Sequence, residues 1–396
     1  MTKVLILGGD ADHNLGDAAI LESTCVCLRK ADKSAEITAV SDIRVPGSLP
    51  GLHQVVPTGV KGFARLLSAA RRQDLVIIGG GGLFQDDDSR IKMPYWGLRT
   101  LLMACADVRI VGHSIGAGPL SHWESRLFAR LACAMMSRIS VRDQYAQGWL
   151  SACTGKPIEV VPDPAFTLQP AAPEAAQRII AGAGITKDRI IGVALRRWFH
   201  HRGILPHQMR VQIGLDNNHG GATMARLITE LSRLLERLAK THDASILLMP
   251  SYNLDHEGDT AVCSAIAANL RGKTSVGLAN IGCAADYKAV TGKLMLLLAA
   301  RMHPLIFAAS MGTPIVGLAY NAKFDGMFKQ LGMPSRMIWL DEFRDGNPIG
   351  KIERLTIEAM GDATDYKFKA RTLADLVSSR TAELLSERAG VTVPSM

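Results

Sequence analysis

Short apolar runs alternate along the chain with segments whose apolar positions recur at helical spacing. Val4 to Leu7, Ile37 to Val40, Leu75 to Ile78, Arg109 to Gly112, Ile139 to Val141 and the pair Val160 and Val161 are apolar runs bounded by glycine, proline or polar residues, and they read as buried strands. Ala18 to Arg29, Phe63 to Arg71 and Glu124 to Met136 carry the longer helical pattern between them. The alternation resumes later, with strands at Ile190 to Leu195, Ser245 to Met249, Leu294 to Ala300 and Ile315 to Ala319. Met224 to Lys240 is an amphipathic helix with Leu227, Leu231, Leu234, Leu235 and Leu238 on one face; Asp259 to Leu270 and Tyr366 to Glu387 are further helices. Strands alternating with helices predict an α/β fold built on parallel sheets.

A chain of 396 residues is too long for one ordinary core and predicts two. The run Pro170-Ala171-Ala172-Pro173 is the best linker, which gives an N-terminal domain over 1–170, a C-terminal domain over 171–365, and a closing helix with a mobile tail over 366–396. Phe199 to Gly221, rich in histidine and without a period, reads as a long loop of the kind that forms lids or recognition elements. His200, His201 and His207 have no acidic or cysteine partner at ligand spacing, so a solvated loop is the expectation there.

Parallel α/β sheets bind ligands at the carboxyl ends of their strands, and the loops at those ends carry the polar chemistry of this chain. The first strand leads through Gly8 and Gly9 to Asn14-Leu15-Gly16-Asp17, with Asp17 a candidate helix cap; the spacing is not that of a dinucleotide fingerprint. Leu75 to Ile78 runs into four glycines, Gly79 to Gly82, whose amides are free to meet a substrate. Asp86, Asp87 and Asp88 follow, and turn and cap chemistry accounts for them better than a metal. His113 to Pro119 is read as another glycine-bearing loop, and Arg142-Asp143 opens a helix. The most informative stretch is Leu294 to Tyr320, where Arg301 and His303 interrupt an otherwise apolar segment at a strand end and Pro304 fits the first helical turn. That arrangement predicts an anion site.

Composition narrows the class. Hydrophobic residues make up 47% and charged residues 21%, the balance of a globular protein. The formal charge of +8 raises the question of nucleic acid, but the basic residues are spread along the whole chain without a run. A basic surface suits an anionic small substrate or a lipid carrier at a negatively charged membrane face. Seven scattered cysteines, mostly within apolar segments, fit reduced thiols and a cytoplasmic setting, and Cys25 and Cys27 point to different faces of one helix. No apolar run approaches membrane-spanning length, so any membrane contact is expected to be peripheral, at the inner face.

Several separated motifs, in order, resemble the polysaccharide pyruvyl transferase family. They are Asn14-Leu15-Gly16-Asp17, the glycine turn before Leu83-Phe84, Ser140-Val141-Arg142-Asp143, Pro162-Asp163-Pro164-Ala165-Phe166, Arg196, Arg301-Met302-His303-Pro304-Leu305-Ile306-Phe307-Ala308, and Tyr320 with Lys323. The resemblance runs from residue 4 to about 332. It departs from the family's usual leucine at Met302 and alanine at Pro304, and more widely in the 199–221 loop, which bears on the acceptor.

The resemblance implies two Rossmann-like domains facing a central cleft, as in GT-B glycosyltransferases, with phosphoenolpyruvate as donor, a saccharide hydroxyl pair as acceptor, and phosphate as by-product. The acceptor it implies is an exopolysaccharide or cell-wall glycan precursor, lipid-linked or not. Phosphoenolpyruvate acts as co-substrate, and neither a metal nor a cofactor is expected. On the residues' own terms, Arg301 and Arg196 supply fixed positive charge for the donor, Lys323 adds to it, and His303 is the acid that protonates the methylene carbon. Asn14, Asp17, Gly80 and Gly81 form the acceptor rim, Asp17 or Asp163 accepts a hydroxyl proton, and Arg142 lies among the substrate-binding residues. A nucleotide-sugar glycosyltransferase of the same fold is the rival enzyme, and a binding protein without catalysis the rival outside enzymes. The acceptor sugar, the hydroxyls bridged and the oligomeric state, a homo-oligomer included, are left open by the sequence.

Overall fold

A computed structural model of the chain describes residues 1–40, 52–56, 62–87, 89–198, 204–205, 209–210, 213, 221–252, 258–362 and 366–386. The first half contains β1 (Lys3–Leu7), α1 (Leu15–Ala31), β2 (Glu36–Val40), β3 (Leu52–Val56), α2 (Gly62–Ala70), β4 (Leu75–Gly79), β5 (Gly82–Phe84), α3 (Lys92–Ala104), β6 (Arg109–Ala117), α4 (Trp123–Met135), β7 (Arg138–Val141), α5 (Gln144–Ser151) and β8 (Ile158–Val160). Its strands form a parallel sheet in the order β3-β2-β1-β4-β6-β7-β8, with the short β5 pairing β6.

The second half contains α6 (Pro173–Gly182), β9 (Ile190–Ala194), α7 (Gly221–Thr241), β10 (Ser245–Leu248), α8 (Asp259–Leu270), β11 (Val276–Leu278), α9 (Ala284–Thr291), β12 (Leu296–Ala299), α10 (Met302–Met311), β13 (Ile315–Ala319), α11 (Lys323–Gln330), β14 (Met337–Trp339), α12 (Glu342–Asp345), α13 (Ile349–Gly361) and α14 (Tyr366–Ser386). Its sheet is also parallel, in the order β11-β10-β9-β12-β13-β14. The result is two Rossmann-like units.

Alternation along the strands divides the second unit's core into two layers. Leu297 and Ala299 of β12 pack with Phe307 and Phe328, while Leu296 and Leu298 pack on the opposite face with the leucines of α7. Both faces of the sheet are therefore covered by helices, which is why these strands read as unbroken apolar runs. Each sheet reverses its strand order once, between β1 and β4 in the first and between β9 and β12 in the second. Ligand crevices open at such reversals, and the polar loops leave the strands at both of them.

The closing helix α14 returns to the first unit. Its Leu384 joins Val4, Ile6 and Leu28 in one apolar cluster, Thr381 Oγ1 lies 2.9 Å from His113 Nε2, and Glu383 pairs with Arg138 at 3.0 Å. Helix α14 also explains the cysteines. Cys25 is buried in that same cluster, whereas Cys27 Sγ faces Thr167 at 3.6 Å and Ser378 at 3.7 Å, so both faces of α1 are covered. All seven cysteines are free thiols.

Two local expectations are corrected. The His113–Pro119 segment is not a loop up to Ala117: β6 continues through it, with a bulge in which Ser114 takes φ 50° and the pairing with β7 shifts register between Gly112 and Ile115. The cap of α1 is Asn14, whose side chain accepts from the Gly16 amide at 2.9 Å, and not Asp17, which lies in the first helical turn. Asp88, His200, His201, His207 and the segment after 386 lie outside the described residues, as does most of the 199–221 stretch. Among the described residues, no helix is long and apolar enough to cross a membrane.

Candidate active site

A cleft of about 1100 Å³ opens where the carboxyl edges of the two sheets face each other. The first unit contributes Gly8, Gly9, Asn14, Gly16, Asp17, Gly81, Gly82 and Arg142; the second contributes Arg196, Arg301, His303, Tyr320 and Lys323. The two walls are tied by contacts between distant residues. Asn14 bridges to Tyr252, whose hydroxyl donates to Asp10 Oδ2 at 2.6 Å, and Asn321 Nδ2 donates to Asp87 Oδ2 at 3.1 Å.

His303 stands at the start of α10 and lines the cleft, and its imidazole faces the first unit. Its Nε2 is 3.6 Å from Asp163 Oδ2, with little solvent on either side chain. The two atoms face each other as a histidine–carboxylate pair, and each is itself closed off from solvent. The opposite side of the ring rests on Gly16. A Cβ at that position would come within 1.9 Å of His303 Nδ1, so only glycine lets the imidazole in. This contact gives a reason for glycine in Asn14-Leu15-Gly16-Asp17 that no local reading of the loop supplies.

Asp163 caps the short turn Pro164–Thr167 by accepting from the Ala165 amide at 3.0 Å, and Arg142 Nη1 lies 3.8 Å from its other oxygen. Burial pushes the Asp163 carboxyl up, but the hydrogen bond and charge of His303, with Arg142 behind them, outweigh it and hold it below the usual carboxylate range. Asp17 is shifted the other way. Burial raises its carboxyl, the His303 charge opposes that, and its Oδ2 accepts from the Asp10 amide at 3.0 Å and from Asn14 Nδ2 at 3.2 Å. Two carboxylates pushed apart in acidity flank one imidazole, a constellation suited to proton transfer.

Deeper in the second unit, positive charge gathers on the Tyr320 hydroxyl. Arg196 Nη1 donates to it at 3.0 Å and Lys323 Nζ at 2.7 Å. Burial would push the phenol up, yet the charges of Lys323, Arg196 and Arg301 bring it down to about 8. Arg301 is held on its other side: its guanidinium forks onto the fully buried Asp259, with Nε 3.1 and 3.2 Å from the two carboxylate oxygens, and its carbon sits 5.3 Å from the Tyr252 ring centre. Asp259 also accepts from the Ser251 amide at 3.2 Å. With three cations and one carboxylate, the cluster carries a net charge of about two and invites a small polyanion.

The other sequence candidates fall in different places. Gly81 and Gly82 line the cleft, but Gly80 faces away from it and packs under Ile20, whose Cγ2 would lie 2.1 Å from a Cβ there. Asp86 accepts from the Ser121 and His122 amides at 3.0 and 2.9 Å, which ties the end of β5 to the start of α4. Asp259 and Tyr252 were not singled out from sequence. Asp259 reads there only as a helix start, and nothing local tells that its partner is Arg301, 42 residues on. The cleft lining also includes an aromatic and basic set, Lys92, Tyr95, Trp96, Arg99 and Trp198. The Arg99 carbon lies 5.0 Å from the Trp96 ring centre and 5.2 Å from that of Tyr95.

Comparison with solved structures finds the same architecture. UDP-GlcNAc 2-epimerase from Methanocaldococcus jannaschii superposes with a TM-score of 0.61 at 12% identity, over 95% of this chain and 99% of that one. The enzyme of that name from Neisseria meningitidis, bound to UDP-GlcNAc, gives 0.59 at 12% identity over 98% and 100%. That from Rickettsia bellii gives 0.58 at 13% over 98% and 96%. At these identities the likeness shows the fold, two Rossmann-like domains of GT-B type, and not the chemistry. Among curated proteins, none matches the chain. The family model for polysaccharide pyruvyl transferase matches residues 14–322, a span that takes in His303, Arg301, Tyr320 and the Asn14 to Asp17 loop. The chain belongs to the polysaccharide pyruvyl transferase family.

Proposed function

We propose that the protein is a ketal pyruvyl transferase, moving pyruvate from phosphoenolpyruvate onto two hydroxyls of a saccharide and releasing phosphate. The observation that carries this reading is the placement of an imidazole, flanked by Asp163, beside a cation cluster of Arg196, Lys323 and Arg301 gathered on Tyr320. Phosphoenolpyruvate presents a phosphate and a carboxylate for the cluster and a methylene carbon for the acid. Protonation of that carbon by His303 makes C2 an oxocarbenium-like centre. A first sugar hydroxyl adds to it, giving its proton to a carboxylate of the first wall, Asp163 or Asp17. Loss of phosphate then regenerates the electrophile, and the second hydroxyl closes the ketal with loss of its own proton. Each step is a proton transfer, an addition or the departure of phosphate, within reach of acid–base groups and fixed charge.

The acceptor side is the first unit's rim, Asn14, Asp17 and Gly81, continued by Tyr95, whose exposed ring suits a sugar ring. Phosphoenolpyruvate should raise the melting temperature of the protein where nucleotide sugars do not, and phosphate should be released when a glycan panel is added. Stabilisation by a nucleotide sugar alone, without phosphoenolpyruvate turnover, would favour the glycosyltransferase reading.

Tyr320 gives the donor site a pH signature. Its phenol, brought down to about 8, is neutral at lower pH, and above that value a phenolate neutralises one of the cations that meet the donor. The KM for phosphoenolpyruvate should therefore rise as pH passes 8, and Tyr320→Phe should flatten that rise. An unchanged profile in the variant would place the titrating group elsewhere.

A further inference from the structure

The outer face of α4 is apolar where a helix on a globular surface would be polar. Trp123, Leu127, Leu131 and Met135 recur every fourth residue and are 72%, 42%, 37% and 39% exposed. On the neighbouring α3, packed so closely that Gly97 abuts Phe128, Leu98 is 51% exposed. Arg126 and Arg130 are also exposed on α4, and the helix's acidic residue, Glu124, is ion-paired with Arg90. The face thus joins an apolar stripe to a basic flank. It also reaches the cleft, because α4 follows directly on Pro119 and Ser121, which line the cleft, and Ile91 and Tyr95 beside α3's start both line it and stand exposed.

We propose that this α3–α4 face docks the protein on an anionic lipid bilayer, with the apolar side chains at the acyl boundary and the arginines among the headgroups. A bilayer fits both halves of the pattern: scattered apolar side chains of modest exposure partition into an interface, and cationic flanks add to the attraction where the lipids are anionic. A second copy of the same face would instead gather Arg126 and Arg130 from both copies at one seam, which like-charge repulsion disfavours. Taken with pyruvyl transfer, docking here turns the acceptor end of the cleft toward the membrane and implies a saccharide carried on a lipid. The docking itself does not depend on that chemistry.

The test is co-sedimentation of the full chain with vesicles of phosphatidylcholine alone and of phosphatidylcholine with a quarter phosphatidylglycerol. Binding to the anionic vesicles is expected, and the double variant Arg126→Gln/Arg130→Gln should weaken it by about fivefold per arginine. Trp123→Ser/Leu127→Ser should weaken it further, with melting temperature and phosphoenolpyruvate turnover on a water-soluble glycan unchanged. Equal sedimentation of wild type and variants, or no sedimentation, overturns the proposal, as does a dimer in solution that the Trp123→Ser/Leu127→Ser variant dissolves. None of these outcomes touches the donor site, so failure here is separable from failure of the pyruvyl transfer reading.

Discussion

His303→Ala should lower turnover of phosphoenolpyruvate by about a hundredfold to ten-thousandfold, the usual contribution of a positioned general acid. The protein should stay folded, because the imidazole lies at the cleft wall, and its partner Asp163 keeps Arg142 and the Ala165 amide. Gly16→Ala reaches the same atom from the other wall: the added methyl would lie 1.9 Å from Nδ1, so the ring must leave its place beside Asp163. The two substitutions should give similar losses, and in combination little more than either alone, since both remove one acid from one position. The rates are checked by phosphate release under saturating donor, and the fold by circular dichroism and melting. A Gly16→Ala enzyme with native rates would mean that the imidazole works from another position or not at all.

The second large effect is on stability. Asp259 is fully buried and is paired with the nearly buried Arg301. Removing Asp259 leaves Arg301 without its carboxylate at a cleft wall that already carries Arg196 and Lys323, and Asp259→Ala is expected to cost about 3 kcal/mol, the low end for a broken buried pair. The midpoint of urea unfolding should fall accordingly. Arg301→Ala should be costly for the mirror-image reason, and the double variant less so than the sum of the two. A loss under about 1 kcal/mol for Asp259→Ala would mean that water or a neighbour takes over the pairing. Donor binding should suffer as well, because Asp259 aims the guanidinium that faces the cleft.

How far the chain could be read from its residues depends on how local the determining contact is. Strands buried on both faces, such as Leu75–Gly79 and Ile315–Ala319, announce themselves as unbroken apolar runs, and their parallel pairing follows from the helices between them. That Arg301 and His303 line the cleft was legible for a similar reason, since they break an apolar pattern within a few residues. What escaped was set by partners far along the chain. His113 and Ser114 look like loop residues, yet they continue β6, because Thr381 of the closing helix and the Pro162 carbonyl meet their side chains. The role of Gly16 requires His303 to be beside it, and that of Asp259 requires Arg301; neither neighbour can be inferred from spacing. Gly80 failed for the opposite reason. Four consecutive glycines suggest one function, whereas Gly81 opens on the cleft and Gly80 makes room for Ile20.

The crystal structure of the protein soaked with phosphoenolpyruvate tests the central claim most directly. The phosphate and carboxylate are expected within hydrogen-bond distance of Arg196, Lys323 and Arg301, displacing the two cations from the Tyr320 hydroxyl, with the methylene carbon turned toward His303. Phosphoenolpyruvate bound away from these residues, or with its methylene carbon on the side opposite the imidazole, would contradict the account.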